Sequence, residues 1–398
     1  MFSLREKVHE RECAVIIDIG SGSVAAAILV SNLQEASSTF VWSRREFIVI
    51  SDSIEAEISL KNINTSLINV FLQLGSSGLK ELQKFDQDLK ITHMQVTVSA
   101  PWAHTVIKQV NYTDDHPFTV TEELLGEISE AAHKKALTAI LENTELQEKG
   151  AFPLDSQNIG VITNGYNAPN AIGAETRELS IAHLTALTQK RIVDVLEESK
   201  QKLLPKTKLY SHSFMYVYFE VLNASLSDTR EACLIDVTSE ATEIGIIRDG
   251  LLTHVTHIPF GTYTLAREIS HVCNIPKEEA YTYLKGGESF IDTKLSKSKK
   301  NDLTIVLTAY EERLAHLFKQ TGDTLAIPKS LYVHTDINTE AFFKKHVSEA
   351  ARIATGIKHT VHMVTSAYVQ GNDTSDTALK LSAKYFHLMH KQGYEQST

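Results

Sequence analysis

The sequence has little cysteine. Only three cysteines occur in 398 residues, Cys13, Cys233 and Cys273, and their spacing matches no motif that binds a metal ion. Cys13 and Cys233 lie in or beside segments whose pattern is typical of buried strands, so we expect both to be thiols of the hydrophobic core. The cysteines therefore give no support for a structural metal site.

Long apolar runs and an excess of positive charge are also missing. No stretch approaches the roughly 20 apolar residues of a transmembrane helix, and the charged segment Met1–Arg11 lacks the apolar region of a signal peptide. We therefore expect a cytoplasmic protein. The formal net charge of −10 argues against broad electrostatic binding of nucleic acid.

The chain contains one pattern twice. The segments 14–28 and 232–246 align without a gap, so that Asp18 matches Asp236 and Ser21 matches Ser239. Each copy is typical of a buried strand that ends in an acidic residue, followed by a polar turn and a second strand. At 398 residues with 42% apolar content, the chain is long enough for two lobes with separate cores. The duplication predicts two related lobes that face one cleft.

The segments around the copies predict a layered α/β architecture. The pattern predicts three consecutive strands, then a helix over Ser59–Phe85 and a strand over Ile91–Ser99. This order of elements is typical of half of a ribonuclease-H-like lobe. Residues 102–184 read as a small inserted subdomain of strand, helix, strand and strand. Leu184–Leu204 reads as one long amphipathic helix that Pro205 ends.

These elements predict a division of the chain into three parts. The first lobe takes residues 1–101 and is completed by 185–208 and 365–398. The inserted subdomain takes 102–184. The second lobe takes 209–364, with a smaller subdomain near 262–325.

The first turn, Asp18–Ser23, suggests a phosphate site. A turn of glycine and serine at the end of a strand leaves backbone N–H groups available to phosphate oxygens. Gly20 and Gly22 permit close approach of the backbone, Ser21 and Ser23 add hydroxyl donors, and Asp18 would bind a metal ion through water.

The two turns, with Gly261 after a third strand, resemble the paired phosphate loops of the actin-like ATPase superfamily. Within it the sequence is most similar to the branch of the cell-division protein FtsA and the pilus-assembly protein PilM. The run Ile247–Gly261 resembles the FtsA run that leads from the second phosphate loop into the next helix. The segments 118–123, 164–173 and 178–183 resemble the FtsA-specific subdomain, and Lys277–Gly287 resembles the following helix of the family. The resemblance extends over about residues 13 to 390.

The resemblance implies a two-lobed actin-like ATPase fold that holds ATP and Mg²⁺ between its lobes. Asp18 and Asp236 are the implied metal-binding carboxylates, and no catalytic residue is assigned. The residues implied in contact with the nucleotide are Asp18, Gly20, Ser21, Gly22, Ser23, Asp236, Thr238, Ser239, Thr242, Gly261 and Thr335.

The sequence departs from the family at two of its three nucleotide contacts. The family's second loop reads Asp-Ile-Gly-Gly-Gly-Thr-Thr-Asp, whereas Asp236–Glu243 contains no glycine and has a carboxylate at Glu240. A β-carbon blocks close approach of a phosphate, and Glu240 would repel a polyphosphate unless its side chain turned away. The nucleoside-binding turn of the family also contains glycines, and Val333–Asn338 has none. The fold is expected to be retained, with ATP hydrolysis weak or lost.

Three functions follow as hypotheses. The first is an actin-like scaffold of the FtsA type that organises cell-division or cell-envelope machinery, self-associates or binds a filament-forming division protein. The second is a PilM-like protein of type IV pilus assembly that binds the cytoplasmic peptide of a membrane protein. The third is an active ATPase or a sugar-type kinase of the same fold, which would need the glycines of the second loop.

The C-terminal segment Thr377–His390 predicts a helix with an apolar stripe and with lysines at 380, 384 and 391. One interpretation is a helix on the membrane surface, as in FtsA, which would place the protein at the inner face of the membrane. The other is a helix that closes the first lobe. We favour the second, because no flexible linker precedes the segment.

Overall fold

The computed structural model describes residues 11–35, 37–52, 56–142, 150–168, 170–226, 230–294, 296–321, 327–335, 339–365 and 376–395. Within these ranges it contains three β-sheets and the helices that cover them. None of the described helices is both long and apolar enough to cross a membrane.

The chain begins with an antiparallel meander of three strands, two helices and a fourth strand. The helices are joined by one π-helical turn, Leu74–Gly78. These elements are β1 (Arg11–Ile19), β2 (Ser23–Asn32), β3 (Ser37–Phe47), α1 (Ala56–Gln73), α2 (Leu79–Phe85) and β4 (His93–Val98).

The inserted subdomain follows. One helix lies against an antiparallel sheet, because the helix and the sheet share a small core that includes Ile128 and Ile181. The elements are β5 (His104–Thr119), α3 (Glu122–Leu141), β6 (Ala151–Thr163), β7 (Tyr166–Asn167) and β8 (Glu175–Gln189), in the sheet order β5-β8-β6-β7.

The chain then returns to the first sheet and builds the second. The remaining elements are α4 (Lys190–Leu203), β9 (Lys208–Ser213), α5 (Phe214–Ser225), β10 (Ala232–Val237), β11 (Thr242–Arg248), β12 (Leu251–Ile258), α6 (Thr262–Cys273), α7 (Lys277–Lys294), α8 (Lys297–Lys319), β13 (Ser330–Thr335), α9 (Glu340–Thr355), β14 (Thr360–Met363) and α10 (Thr377–Glu395).

The two five-stranded sheets have the same topology. The first has the order β3-β2-β1-β4-β9 and the second the order β12-β11-β10-β13-β14. In each, the central strand pairs antiparallel with the next strand and parallel with the strand beyond the helices. The predicted duplication is therefore confirmed at the level of strand order and direction, and with it the two-lobed α/β fold.

The buried cysteines agree with the sequence analysis, since Cys13 and Cys233 are buried in the cores of the two lobes. The helix predicted over Leu184–Leu204 is wrong in its first third. Strand β8 continues to Gln189 because its residues pair with both β5 and β6, and the helix begins at Lys190. The short strands β9 and β14 were not predicted. Strand β9 joins the first sheet beside β4.

Candidate functional site

The first turn lies between β1 and β2, as predicted. The backbone N–H of Gly20 donates to the carbonyl of Ser23 at 3.0 Å and closes the turn. Asp18, at the end of β1, is 1% exposed. It receives a hydrogen bond of 3.3 Å from the hydroxyl of Thr97 on the neighbouring strand β4. The acidic residue is thus held inside the molecule and not at a solvent-filled cleft.

The second turn, between β10 and β11, is closed by its own backbone and by helix α6. The N–H of Thr238 donates to the carbonyl of Ala241 at 2.9 Å. The first N–H groups of α6 are used as well, since Thr262 donates to the carbonyl of Thr238 at 3.0 Å and Tyr263 to that of Ser239 at 2.7 Å. A helix N-terminus can bind an anion only through N–H groups that are not already engaged.

The two turns are in direct contact. The hydroxyl of Ser21 donates to Thr238 Oγ1 at 2.8 Å, and the N–H of Glu240 donates to Ser21 Oγ at 2.8 Å. A β-carbon added to Gly22 would lie 2.0 Å from Ser239 Oγ. The two loops are therefore in van der Waals contact at Gly22 and Ser239, with no room for a methyl group at that point.

Gly261 and Thr242 also serve this packing. A β-carbon on Gly261 would lie 2.2 Å from the carbonyl oxygen of Thr238, so the residue before α6 must be glycine for the helix to approach the turn. The hydroxyl of Thr242 donates to the carbonyl of Phe260 at 2.7 Å. Both predicted contact residues position α6 against the second turn.

The carboxylate of Asp18 is paired with Arg45 of β3. The guanidinium donates to Asp18 Oδ2 at 2.9 Å and to Ser23 Oγ at 2.7 Å. It also forms a bidentate pair with Asp376, with N···O distances of 2.6 and 2.9 Å. Asp376 in turn accepts the N–H of Leu379 at 3.1 Å and so caps helix α10. One arginine thereby joins both strands of the first hairpin to the C-terminal helix.

The two carboxyls of this cluster titrate differently. Burial alone would raise the pKa of both. For Asp18 burial dominates over the attraction of Arg45, with a contribution from the negative charge of Asp376, and its pKa is raised. For Asp376 burial is outweighed by the charge and hydrogen bonds of Arg45, and its pKa is lowered.

Asp236 forms a separate buried cluster in the second sheet. Its Oδ1 lies 2.7 Å from His334 Nδ1 on β13, and Glu243 lies opposite it on β11. Burial and the nearby Asp236 raise the pKa of Glu243 well above its ordinary value. Asp236 Oδ2 and Glu243 Oε1 have no hydrogen-bond partner among the described residues. The hydrogen bonds of Asp18 to Arg45 and of Asp236 to His334 therefore join the two aspartates to different residues.

Glu240, which replaces a family glycine, turns away from the first loop. Its carboxylate pairs with both terminal nitrogens of Arg267 on α6 and accepts the hydroxyl of Thr264 at 3.0 Å. Arg267 also donates to the carbonyl of Ser51 in the first lobe at 3.4 Å. By holding Arg267, the carboxylate of Glu240 therefore contributes to the contact between the two lobes.

Thr335 ends β13 and is buried, and its hydroxyl has no partner among the described residues. The rest of the predicted nucleoside-binding turn, 336–338, lies outside the described residues. In the part of the chain that the structure describes, no three His, Cys, Asp or Glu side chains are grouped to hold a metal ion.

These contacts test whether Mg-ATP fits the residues present. A phosphate is larger than the methyl group that Gly22 and Ser239 already exclude, and the guanidinium of Arg45 holds the carboxylate that would face the cation. In this arrangement the loops do not fit the nucleotide or its metal.

Sequence reasoning missed Arg45, Asp376 and Arg267, and it assigned no role to His334. Arg45 and Asp376 are 331 positions apart, so no local pattern connects them. The pairing of β3 with β2 places Arg45 beside Ala25 and next to the first turn, and this register comes from the sheet and not from a pattern in the sequence.

Comparison with known proteins finds solved structures that resemble this chain, but no similar sequence. No protein-family model matches the sequence, and no curated protein matches it. One chain of the PilM-PilN type IV pilus biogenesis complex is 12% identical, with 96% of this chain and 99% of that chain covered and a TM-score of 0.57.

A second solved structure is a protein with an actin-like ATPase fold and unknown function from Bacteroides thetaiotaomicron. It is 10% identical, with 95% of this chain and 96% of that chain covered and a TM-score of 0.45. The topology of the two sheets and the likeness to the PilM-PilN chain confirm the expected actin-like ATPase fold. At such low identity the likeness establishes the fold and not the activity.

Proposed function

We propose that this chain is an actin-like assembly protein that acts through protein–protein contacts, with ATP hydrolysis weak or lost. The observation that carries the proposal is the contact between Gly22 and Ser239, where the two loops meet with no room for a methyl group. The pairing of Arg45 with Asp18 also supports it, because the guanidinium holds the carboxylate that would otherwise face the Mg²⁺ ion of the nucleotide.

Within this class we propose a PilM-like role, in which the chain binds a peptide from the cytoplasmic side of a membrane protein. The support is the similarity in fold to a chain of the PilM-PilN pilus complex over nearly the whole length of both. A division role of the FtsA type is the second candidate, supported by the resemblance of Ile247–Gly261 to the FtsA run.

The test is a calorimetric titration of the whole chain with Mg-ATP, together with a phosphate-release assay. We expect no saturable heat up to about 1 mM nucleotide and no phosphate release above that of buffer. Micromolar binding with hydrolysis would contradict the proposal and favour the ATPase or kinase hypothesis.

Asp18→Asn is the matched control for any residual hydrolysis. An actin-like ATPase depends on this carboxylate, so genuine turnover by the chain would fall in the variant. A trace activity that is identical in both proteins belongs to a contaminant.

A further inference from the structure

A cluster of polar side chains lies between helix α3 and the sheet of the inserted subdomain. Ser129 and His133 are four residues apart on α3 and therefore share one face of the helix. Ser156 and Asn158 are two residues apart on β6 and share one face of the sheet, and His183 of β8 pairs directly with Asn158. One helix and two strands thus bring five polar side chains to the same place.

The cluster interrupts an interface that is otherwise apolar. Leu179 and Ile181 precede His183 on the same face of β8, and both are buried in a core with Ile128 of α3. At His183 the same face becomes polar. Apolar side chains would fill such an interface without the cost of removing polar groups from water. The polar cluster therefore requires an explanation other than the packing of the helix on the sheet.

The hydroxyl of Ser156 is bonded to two imidazoles. Its Oγ lies 3.0 Å from His183 Nε2 and 2.7 Å from His133 Nδ1, and the centroids of the two rings are 5.4 Å apart. Ser156 is exposed, whereas His183 is only 4% exposed. A molecule in solution can therefore reach the serine, while the imidazole of His183 is largely shielded from water.

Asn158 determines which nitrogen of His183 carries the proton. Its Oδ1 lies 2.8 Å from His183 Nδ1 and also accepts the hydroxyl of Ser129 at 2.9 Å. Because a carbonyl oxygen can only accept, Nδ1 is the protonated nitrogen of His183, and Nε2 presents its lone pair to Ser156. Ser156 then donates its hydroxyl proton to His183 Nε2, and its oxygen accepts the N–H of His133.

The surroundings of His183 keep its ring unprotonated at neutral pH. Burial lowers the pKa of His183, and the charge of His133 on α3 lowers it further, against the opposing effect of Asp155 on β6. An unprotonated imidazole that contacts a hydroxyl, with its other nitrogen held by an acceptor, is the arrangement that activates a serine as a nucleophile. The five side chains include no lysine or arginine to neutralise a phosphoryl group, so the cluster favours an uncharged acyl group.

We infer that Ser156 is a nucleophile that takes the acyl group of carboxylic esters, with His183 as general base and Asn158 as the residue that positions it. A bond forms between Ser156 Oγ and the carbonyl carbon, and the bond from that carbon to the alcohol oxygen breaks. The hydroxyl proton passes to His183 Nε2 and then to the departing alkoxide. Water attacks the acyl-serine in the same way, which releases the carboxylic acid and restores the hydroxyl.

His133 supplies a donor beside the reacting atom. Its Nδ1 lies 2.7 Å from Ser156 Oγ, so its N–H is placed to donate to the oxygen that becomes negative when the carbonyl is attacked. A site with one such donor should acylate readily only with a good leaving group and should lose its acyl group slowly. The inference adds an activity to the proposed role in protein–protein contacts and does not depend on it.

The test measures the release of p-nitrophenolate from p-nitrophenyl acetate by the whole chain, with mass spectrometry of the protein after quenching in acid. We expect a burst that approaches one p-nitrophenolate per chain, followed by slow turnover, and one acetyl group on the peptide that contains Ser156. Ser156→Ala should abolish both. His183→Gln should slow the burst by roughly a hundredfold or more.

The controls measure the reaction of the ester with ordinary surface groups. Ser76 is an exposed serine of the first lobe, and the side chain of His116 is 92% exposed. Ser76→Ala and His116→Asn should therefore leave the burst unchanged. Circular dichroism and thermal unfolding establish that each variant is folded, and Ser156→Cys, which keeps a nucleophile at the position, should be acetylated if the alanine variant does not fold.

The pH dependence tests the role of Asn158. In the wild type the burst rate should rise with pH as His183 loses its proton and should reach its plateau near neutral pH. Asn158→Asp keeps the acceptor but adds a negative charge, which raises the pKa of His183 and should move this rise to higher pH. An unchanged profile in Asn158→Asp, a missing burst, acetylation at another residue, or equal bursts in the wild type and Ser156→Ala overturns the inference.

Discussion

Arg45 is the residue on which the interior of the first lobe depends most directly. Its side chain is 12% exposed and is paired with two carboxylates that are themselves 2% and 15% exposed. Removing one partner of a buried ion pair costs more than the pair contributes, because the other charges are left uncompensated. Arg44, the next residue in sequence, offers a direct comparison, since its side chain is 57% exposed.

Arg45→Ala is expected to lower the free energy of unfolding by about 3–5 kcal/mol, because Asp18 and Asp376 lose their cation. Arg44→Ala should change it by less than about 0.5 kcal/mol. Urea unfolding of both variants measures the difference. Equal effects would show that the cluster of Arg45, Asp18 and Asp376 does not exist in solution.

The contact between the two turns can be tested at Gly22. Gly22→Ala should destabilise the protein by about 1–3 kcal/mol, because the added methyl group overlaps Ser239. Ser239→Gly in the same chain should restore most of the loss by removing the side chain that the methyl group meets. Thermal unfolding of the two single variants and the double variant gives the coupling between the positions.

Gly126 provides the control for this pair. It lies in α3, and a β-carbon there would meet nothing within 4 Å. Gly126→Ala should stabilise the protein by up to about 1 kcal/mol through helix propensity. If the effects of Gly22→Ala and Ser239→Gly simply add, the loops are apart in solution and the cleft is open.

Among the elements, the C-terminal helix α10 is the one to which the two interpretations of the tail apply. The side chains of its apolar stripe are buried against both sheets and helix α5: Leu379, Leu381, Ala383, Tyr385 and Phe386. Lys380, which the membrane interpretation placed on an exposed face, is 5% exposed. The packing supports a closing helix, because a stripe buried in protein is not available to a lipid surface.

Phe386→Ala is expected to lower the free energy of unfolding by about 3–5 kcal/mol, since it empties a fully buried site. Met389→Ala, at a side chain that is 45% exposed, should cost less than about 1 kcal/mol. If the helix instead bound membrane through its apolar stripe, Phe386→Ala would have little effect on unfolding in solution. In sedimentation with anionic liposomes we expect the intact chain in the supernatant. Its recovery in the pellet would support the membrane interpretation.

On the scale of the whole molecule, one polar junction connects the inserted subdomain, the first sheet and the C-terminal helix. Asp155 of β6 lies 2.8 Å from His212 of β9, and the His212 ring packs on Tyr385 of α10 with centroids 5.0 Å apart. Glu220 of α5 is nearby, and burial raises its pKa to about 7 despite a hydrogen bond from Tyr216. Ionisation of Glu220 should therefore change the stability of the protein around this junction.

The folded protein keeps a proton on Glu220 that the unfolded chain loses above its ordinary pKa of 4.5. The contribution of this carboxyl to stability is therefore full below pH 4.5 and is lost as pH rises through about 7. We expect the wild type to lose about 2 kcal/mol relative to Glu220→Gln between about pH 5 and about pH 8.

Urea unfolding at a series of pH values measures this difference. Glu198→Gln, at an exposed position of α4, should follow the wild type at every pH. Parallel curves for the wild type and Glu220→Gln would mean that the carboxyl is hydrated in the folded state.

The elements that could be predicted from sequence are those with a strong local pattern. The strand-turn-strand units at Asp18 and Asp236 alternate or run apolar for their full length, and their flanking turns contain polar residues. Strand β9, Lys208–Ser213, is short and largely polar, and it forms because β4 offers it a parallel edge. The end of β8 was read as helix because Leu184 and Leu187 also fit a helical spacing, and pairing with two strands overrides that spacing.

The sequence by itself determined the duplicated fold and identified the residues of both loops, since the order of buried strands and turns is a local property of the chain. It also showed that the second loop lacks glycine. Only the tertiary structure decided what fills the cleft. Ser239 meets Gly22, and Arg45 meets both Asp18 and Asp376, through contacts between segments far apart in the chain. Such contacts depend on how the lobes and the C-terminal helix pack together, and no periodicity along the sequence encodes them.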